Sequence, residues 1–110
     1  MFRAVAHCHA HWVLHRDLKP ANLFVRGDGV LKLGDFGAAR EHDGERGREF
    51  TPGKNVCTLW YRAPELLFNT RAYGAAVDVW SCGAIVAEML LREARGDPRP
   101  RGAPPRLAPS

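Results

Sequence analysis

The chain has 110 residues, 45% hydrophobic and 25% charged, with a formal net charge of +4. This is the composition of an ordinary globular protein, long enough for one small core. The positive excess does not argue for nucleic-acid binding, because residues 92–110 hold five Arg against Glu93 and Asp97, or +3 of the +4.

The three cysteines, Cys8, Cys57 and Cys82, are odd in number and lack C-x-x-C spacing. They read as reduced thiols of a nuclear or cytoplasmic protein. No long apolar run marks a signal peptide at the N-terminus. The longest uncharged apolar stretch, Val79 to Ala87, lies between Asp78 and Glu88 and is too short to span a bilayer.

In chain order, Phe2, Val5, Ala6 and His9 recur at helical spacing, which predicts a helix ending near residue 11. His7 and His11 share its face. No second pair of ligands stands at a recognisable spacing, so a zinc site there would be incomplete and the histidines read as ordinary helix and loop residues. Next comes His15-Arg16-Asp17-Leu18-Lys19-Pro20-Ala21-Asn22. Two short apolar runs, Leu23 to Val25 and Val30 to Leu33, flank Gly27-Asp28-Gly29 and predict a β-hairpin. Asp35-Phe36-Gly37 follows. Residues 38–58 are polar, glycine-containing and without apolar period, and read as a mobile loop. Leu59 to Leu67 is apolar and ends in a short helix after Pro64, a residue suited to the first helical position. Ala75 to Leu91 is the strongest helix, apolar nearly all round, and should be buried on most sides. The rest of so short a chain cannot readily cover it. Residues 92–110 carry five of the eight prolines and should be disordered.

The His15–Asn22 stretch, Asp35-Phe36-Gly37 and Ala63-Pro64-Glu65, in that order and separation, resemble the motifs of a eukaryotic protein kinase. Lys19, two residues after Asp17, is the form usual in serine/threonine kinases. Thr58-Leu59-Trp60-Tyr61-Arg62-Ala63-Pro64-Glu65-Leu66-Leu67 is similar to the hallmark of the cyclin-dependent group. Within that group, His11 to Asp17, Gly29 to Leu33, and Glu65 to Arg71 with Tyr73-Gly74 resemble the branch that activates other cyclin-dependent kinases.

The resemblance implies an α+β fold: part of a protein-kinase-like large lobe over residues 1–91, mainly helical with one short β-hairpin, then a disordered tail over 92–110. It implies transfer of the ATP γ-phosphate, with Mg²⁺, to Ser or Thr before Pro in a protein substrate. A cyclin is the partner of the full-length relatives, and neither nucleic acid nor membrane is a direct one. Asp17 would orient the acceptor hydroxyl and take its proton, and Lys19 would lie near the transferred phosphate. Asn22 and Asp35 would hold magnesium through oxygen. Phe24 would lie under the adenine, and His15 and Phe36 would stack in the active-state spine. Thr58 would bond Asp17 and Lys19, and Asp78 would hold the His15-Arg16 backbone. Arg16 and Arg40 would clamp an activating phosphate.

Two departures stand out. Relatives carry the activating Thr five residues before Thr58, where this chain has Gly53; Thr51 is the nearest candidate. The family's glycine-rich loop, strand Lys and helix Glu are not among the 110 residues, so the expectation is a fragment, inactive alone. Its rival is a non-catalytic remnant that acts by binding a kinase partner.

Overall fold

A computed structural model describes residues 1–42, 50 and 56–96. Thr51, Gly53 and nearly all of the proline-rich tail lie outside them.

Helix α1 spans Phe2–Ala10 and buries Val5. It stops where the N–H groups of His11 and Trp12 bond Cys8 O and His9 O, with Trp12 in a left-handed conformation, φ 58°. Strand β1, Val13–Leu14, then leads into the His15–Asn22 loop. Strands β2, Leu23–Val25, and β3, Leu31–Leu33, form the expected hairpin, with Leu23 opposite Leu33 and Val25 opposite Leu31. Its turn needs a positive φ, and Gly29 supplies it at 79°. Asp28 Oδ1 accepts the Val30 N–H at 3.1 Å, fixing the turn locally.

A second ladder was not expected. Strand β4, Arg40–Glu41, pairs antiparallel with β1, Leu14 opposite Arg40, so residues 38–58 are not one continuous loop and the hairpin is not the only sheet. Two residues carry no readable period. Their pairing is set by the edge that β1 offers, with His42 N–H on Trp12 O at 2.7 Å extending it.

Helix α2, Pro64–Leu67, opens on proline as expected and closes at Asn69, φ 56°, a residue type that tolerates the left-handed region. Helix α3 spans Ala76–Ala94, three residues past the expected end, and stops at Gly96, φ 67°. Val77, Asp78, Ser81, Cys82 and Ile85 form its buried stripe. Cys82 and Ile85 meet Val5, Leu18 and Tyr61 in one core cluster, while Val77 meets Cys57, Ala63 and Leu66 in a second. The helix is apolar nearly all round, yet, as expected of so short a chain, the described residues cover one stripe of it only. Val79, Trp80, Met89, Leu90 and Leu91 are all more than half exposed. Burying one such side chain fully is worth about 1.5–3 kcal/mol, so this face is a large unrealised contribution. Among the described residues no helix is long and apolar enough to cross a membrane.

Ser81 joins α3 to the segment before α2. Its hydroxyl donates to Tyr61 O at 2.7 Å and lies 3.1 Å from Val77 O, fully buried. Ser81→Ala removes the donor and is expected to cost about 1–3 kcal/mol, read as a shift in the urea midpoint at unchanged slope.

Candidate active site

The loop after β1 is built on Asp78. This fully buried carboxylate accepts His15 N–H on Oδ2 and Arg16 N–H on Oδ1, each at 2.8 Å. Those bonds sustain Arg16 at φ 65°, a conformation that costs a non-glycine residue about 1–3 kcal/mol. His9 Nε2 of α1 sits 2.8 Å from the same Oδ2, so three elements converge on one side chain. Leu18, fully buried, pins the loop to the core. Asp17 and Lys19 flank it and stay partly exposed.

Asp17 is held from two sides. Its Oδ1 accepts the Thr58 N–H at 3.1 Å and the Thr58 hydroxyl at 2.9 Å, and its Oδ2 pairs with Lys19 Nζ at 2.7 Å. Thr58 therefore ties its segment to the loop, as expected. The expected second bond, from Thr58 to Lys19, is replaced by the Lys19–Asp17 pair, because the ammonium gains more from a carboxylate than from a hydroxyl. Burial would raise the Asp17 pKa. The bonds from Lys19 and Thr58 outweigh it and hold the carboxyl below its usual range.

Pro20 starts a single 3-10 turn over Pro20–Asn22. Buried Asn22 then donates its side-chain amide to Asp17 O at 2.8 Å, closing the loop on itself. That use of the nitrogen leaves the amide oxygen as the free coordinating group. Asn22 O accepts the Gly34 N–H at 3.0 Å, continuing the β2–β3 ladder by one pair. Asp35 follows at φ 59° with its side chain exposed, so the hairpin delivers Asn22 and Asp35 to the same end. The Asn22 amide oxygen and the exposed Asp35 carboxylate are oxygen donors of the kind a hard divalent cation takes.

His15 couples the two halves. Its Nε2 lies 3.0 Å from Gly34 O and its Nδ1 accepts the Asp17 N–H at 3.3 Å, which assigns the proton to Nε2. Its ring packs edge-on against Phe36, centroids 4.9 Å apart. Phe24 is 55% exposed on the outer face of β2. Gly34 lets its ring lie flat: a Cβ at residue 34 would come 2.7 Å from Phe24 Cε2. Arg40 is exposed and, among the described residues, bonds only its neighbour, Ala39 O. Arg16 is buried and turned elsewhere, its Nε on Ala38 O at 2.8 Å and its Nη1 on the Tyr73 hydroxyl at 2.7 Å. Thr51 lies outside the described residues.

Sequence reasoning missed three contributors. His9 was read as an ordinary helix histidine, yet it completes the Asp78 shell. Tyr73 reaches Arg16 across the fold. Arg62 binds Cys57 O through both Nε and Nη2, at 3.3 and 2.8 Å. No local pattern announces these contacts: His9–Asp78 and Tyr73–Arg16 span elements that only folding brings together, and the Arg62–Cys57 fork closes within one irregular segment. A groove of about 640 Å³ runs from Lys19 and Thr58 past Trp60 to Ala84, Ala87 and Leu91 on α3.

The His15–Asn22 loop, Asp35-Phe36-Gly37 after a hairpin and a long helix carrying the anchoring Asp78 are the arrangement of a protein-kinase large lobe. The chain belongs to that family, matching the protein kinase domain over residues 1–97. Its relatives are cyclin-dependent kinases. It is 56% identical over 92 residues to cyclin-dependent kinase D-1 of Oryza sativa, covering 84% of this chain and 21% of that protein. It is 53% identical over 90 residues to cyclin-dependent kinase 7 of Carassius auratus, covering 82% and 25%. It superposes on a chain of the CAK complex of Chaetomium thermophilum bound to ATP-γ-S with a TM-score of 0.74 at 53% identity, covering 82% of this chain and 27% of that one. The chain thus spans about a quarter of the relatives it matches.

Proposed function

We propose that residues 1–91 form part of the large lobe of a serine/threonine kinase of cyclin-dependent type, followed by a tail over 92–110. Its reaction moves the γ-phosphate of ATP to a Ser or Thr hydroxyl that precedes Pro. The relatives are named cyclin-dependent kinases, and a cyclin partner is proposed here, in the nucleus or cytoplasm. The observation that carries the reading is Asp17, held by Thr58 on one oxygen and Lys19 on the other, one loop turn from Asn22.

Asp17 orients the acceptor hydroxyl and takes its proton as oxygen bonds to the γ-phosphorus. The bond from that phosphorus to the β-bridging oxygen breaks, and ADP leaves with the electron pair. Lys19 stays beside Asp17, where its charge faces the transferred group. Asn22 and Asp35 offer oxygens to Mg²⁺, which when bound neutralises the triphosphate. Phe24, exposed beside Gly34, offers a flat apolar face for a base.

Cys57 supports the preference for proline. Its φ is 66°, and its carbonyl is taken by the Arg62 fork, one residue from Thr58. A substrate backbone N–H beside the acceptor therefore finds no carbonyl partner there and would stay unpaired, costing about 1–3 kcal/mol. Proline has no N–H to leave unpaired. The test joins this chain to the small lobe of a relative and compares Ser-Pro with Ser-Ala peptides. The Ser-Pro peptide is expected to be phosphorylated about 10-fold faster or more, consistent with that penalty. Equal rates count against the assignment of Cys57 and Arg62.

The rival reading, a non-catalytic remnant that binds a kinase partner, is favoured by the exposed apolar face of α3. A radiolabelled-ATP assay on the chain alone, with Asp17→Asn as blank, separates the two from an enzyme complete in itself.

A further inference from the structure

Arg16 is a cation that is 4% exposed and is held by Ala38, Tyr73 and Phe50. Its Nε donates to Ala38 O at 2.8 Å and its Nη1 to the Tyr73 hydroxyl at 2.7 Å. Its guanidinium carbon lies over the Phe50 ring, 5.5 Å from the centroid, within cation–π range. Phe50 is itself 6% exposed and stacks on Tyr73, centroids 4.8 Å apart at 30°. The Phe50 N–H bonds Arg71 O at 3.0 Å, and Tyr73 packs on the Cys57, Ala63, Leu66 and Val77 cluster. One guanidinium N–H that a phosphate could take is met by the Tyr73 hydroxyl and another by Ala38 O, while the Phe50 ring covers the face of the group.

We propose that Phe50 and Tyr73 form an aromatic latch that positions Arg16 without phosphorylation. The hydroxyl of Tyr73 fixes the guanidinium, and the Phe50 ring covers it. Arg16 is adjacent to Asp17, so the latch sets the loop that carries the base. The inference rests on the proposed kinase function only for the role of that loop. The contacts and their test do not require turnover. Phe50 and Tyr73 are positioning residues, since neither touches Asp17.

The test follows the Arg16 side-chain N–H signals of the full 110-residue chain by NMR. In the unmodified chain these protons are expected to exchange slowly and to show a ring-current shift from Phe50. Tyr73→Phe removes one oxygen, and should speed guanidinium exchange about 10-fold, the factor expected of one lost hydrogen bond, while backbone amide protection in α3 stays the same. Phe50→Leu should abolish the ring-current shift and Phe50→Tyr should keep it. Millimolar inorganic phosphate should leave the unmodified Arg16 signals in place. Exchange at the rate of free arginine, a Tyr73→Phe chain indistinguishable from the original, displacement by millimolar phosphate, or an Arg16 without dispersed signals would each overturn the latch. A failed peptide-phosphorylation assay would leave these readouts untouched, so the two ideas fail separately.

Discussion

Asp78→Ala is expected to abolish the cooperative unfolding transition of this chain. Asp78 is fully buried and accepts two backbone N–H groups at 2.8 Å, with His9 Nε2 at the same distance. Hydrogen bonds to a charged group contribute about 1.5–3 kcal/mol each. Removing the acceptor leaves the N–H groups of His15 and Arg16 buried and unpaired. It also removes the backbone bond that Arg16, in a left-handed conformation, makes to this carboxylate. A total cost of roughly 3–5 kcal/mol follows from breaking such a buried charged network. A typical domain has only about 5–15 kcal/mol to lose, and α3 exposes much of its apolar face. Asp78→Asn is the milder variant. Its amide keeps one acceptor but turns a donor toward the other N–H, so a stable but weakened chain is expected. Urea titration followed by far-UV circular dichroism reads both. An Asp78→Ala chain within about 1 kcal/mol of the original would show that the loop is held by something other than Asp78.

Asp17→Asn has the largest expected effect on chemistry. Joined to the small lobe of a relative, the chain should phosphorylate a Ser-Pro peptide, and Asp17→Asn should lower kcat by about 10²- to 10⁴-fold, the usual contribution of a positioned base. The amide keeps an oxygen for Thr58, so circular dichroism should not change. Loss of activity without loss of fold is then assigned to proton acceptance. Retention of half the rate or more would remove Asp17 from that role. The pH dependence has a definite sign. The Asp17 carboxyl is held below its usual range by Lys19 and Thr58 against the opposing effect of burial. A depressed folded-state value means its ionised contacts stabilise the chain above the unfolded value of about 3.9, and that stabilisation fades as pH falls through the lower folded value. Asp17 therefore stays ionised throughout the neutral range, and the rate between about pH 5 and 8 should not titrate with it.

Much of the site was legible before folding because catalysis constrains residue type and spacing together. Asp17, Asn22 and Asp35 must reach one place, and a loop turn followed by a hairpin is a short path there. The Gly27-Asp28-Gly29 turn fixes the hairpin register locally, and register decides which residues share its open end. Pro64 and the periodic apolar residues of α1 and α3 likewise act through their own segments. Thr58 and Asp78 were legible only through resemblance, as their partners lie 41 and 63 residues away.

The β1–β4 ladder, the His9–Asp78 bond and the enclosure of Arg16 by Phe50 and Tyr73 were decided by tertiary structure alone. Each joins groups whose own sequence neighbourhoods are unremarkable. For α3 the apolar surface was legible, and so was the shortage of chain to cover it. A helix apolar on most sides states how much surface it could bury, whereas the partners present decide how much it does, and here they cover one stripe through Val77, Cys82 and Ile85. The sequence by itself determined the chemistry of the site, because residue type and short-range spacing are properties of the chain. Tertiary structure decided how that chemistry is held, because buried charges such as Asp78 and Arg16 take whichever partners folding brings within 3 Å.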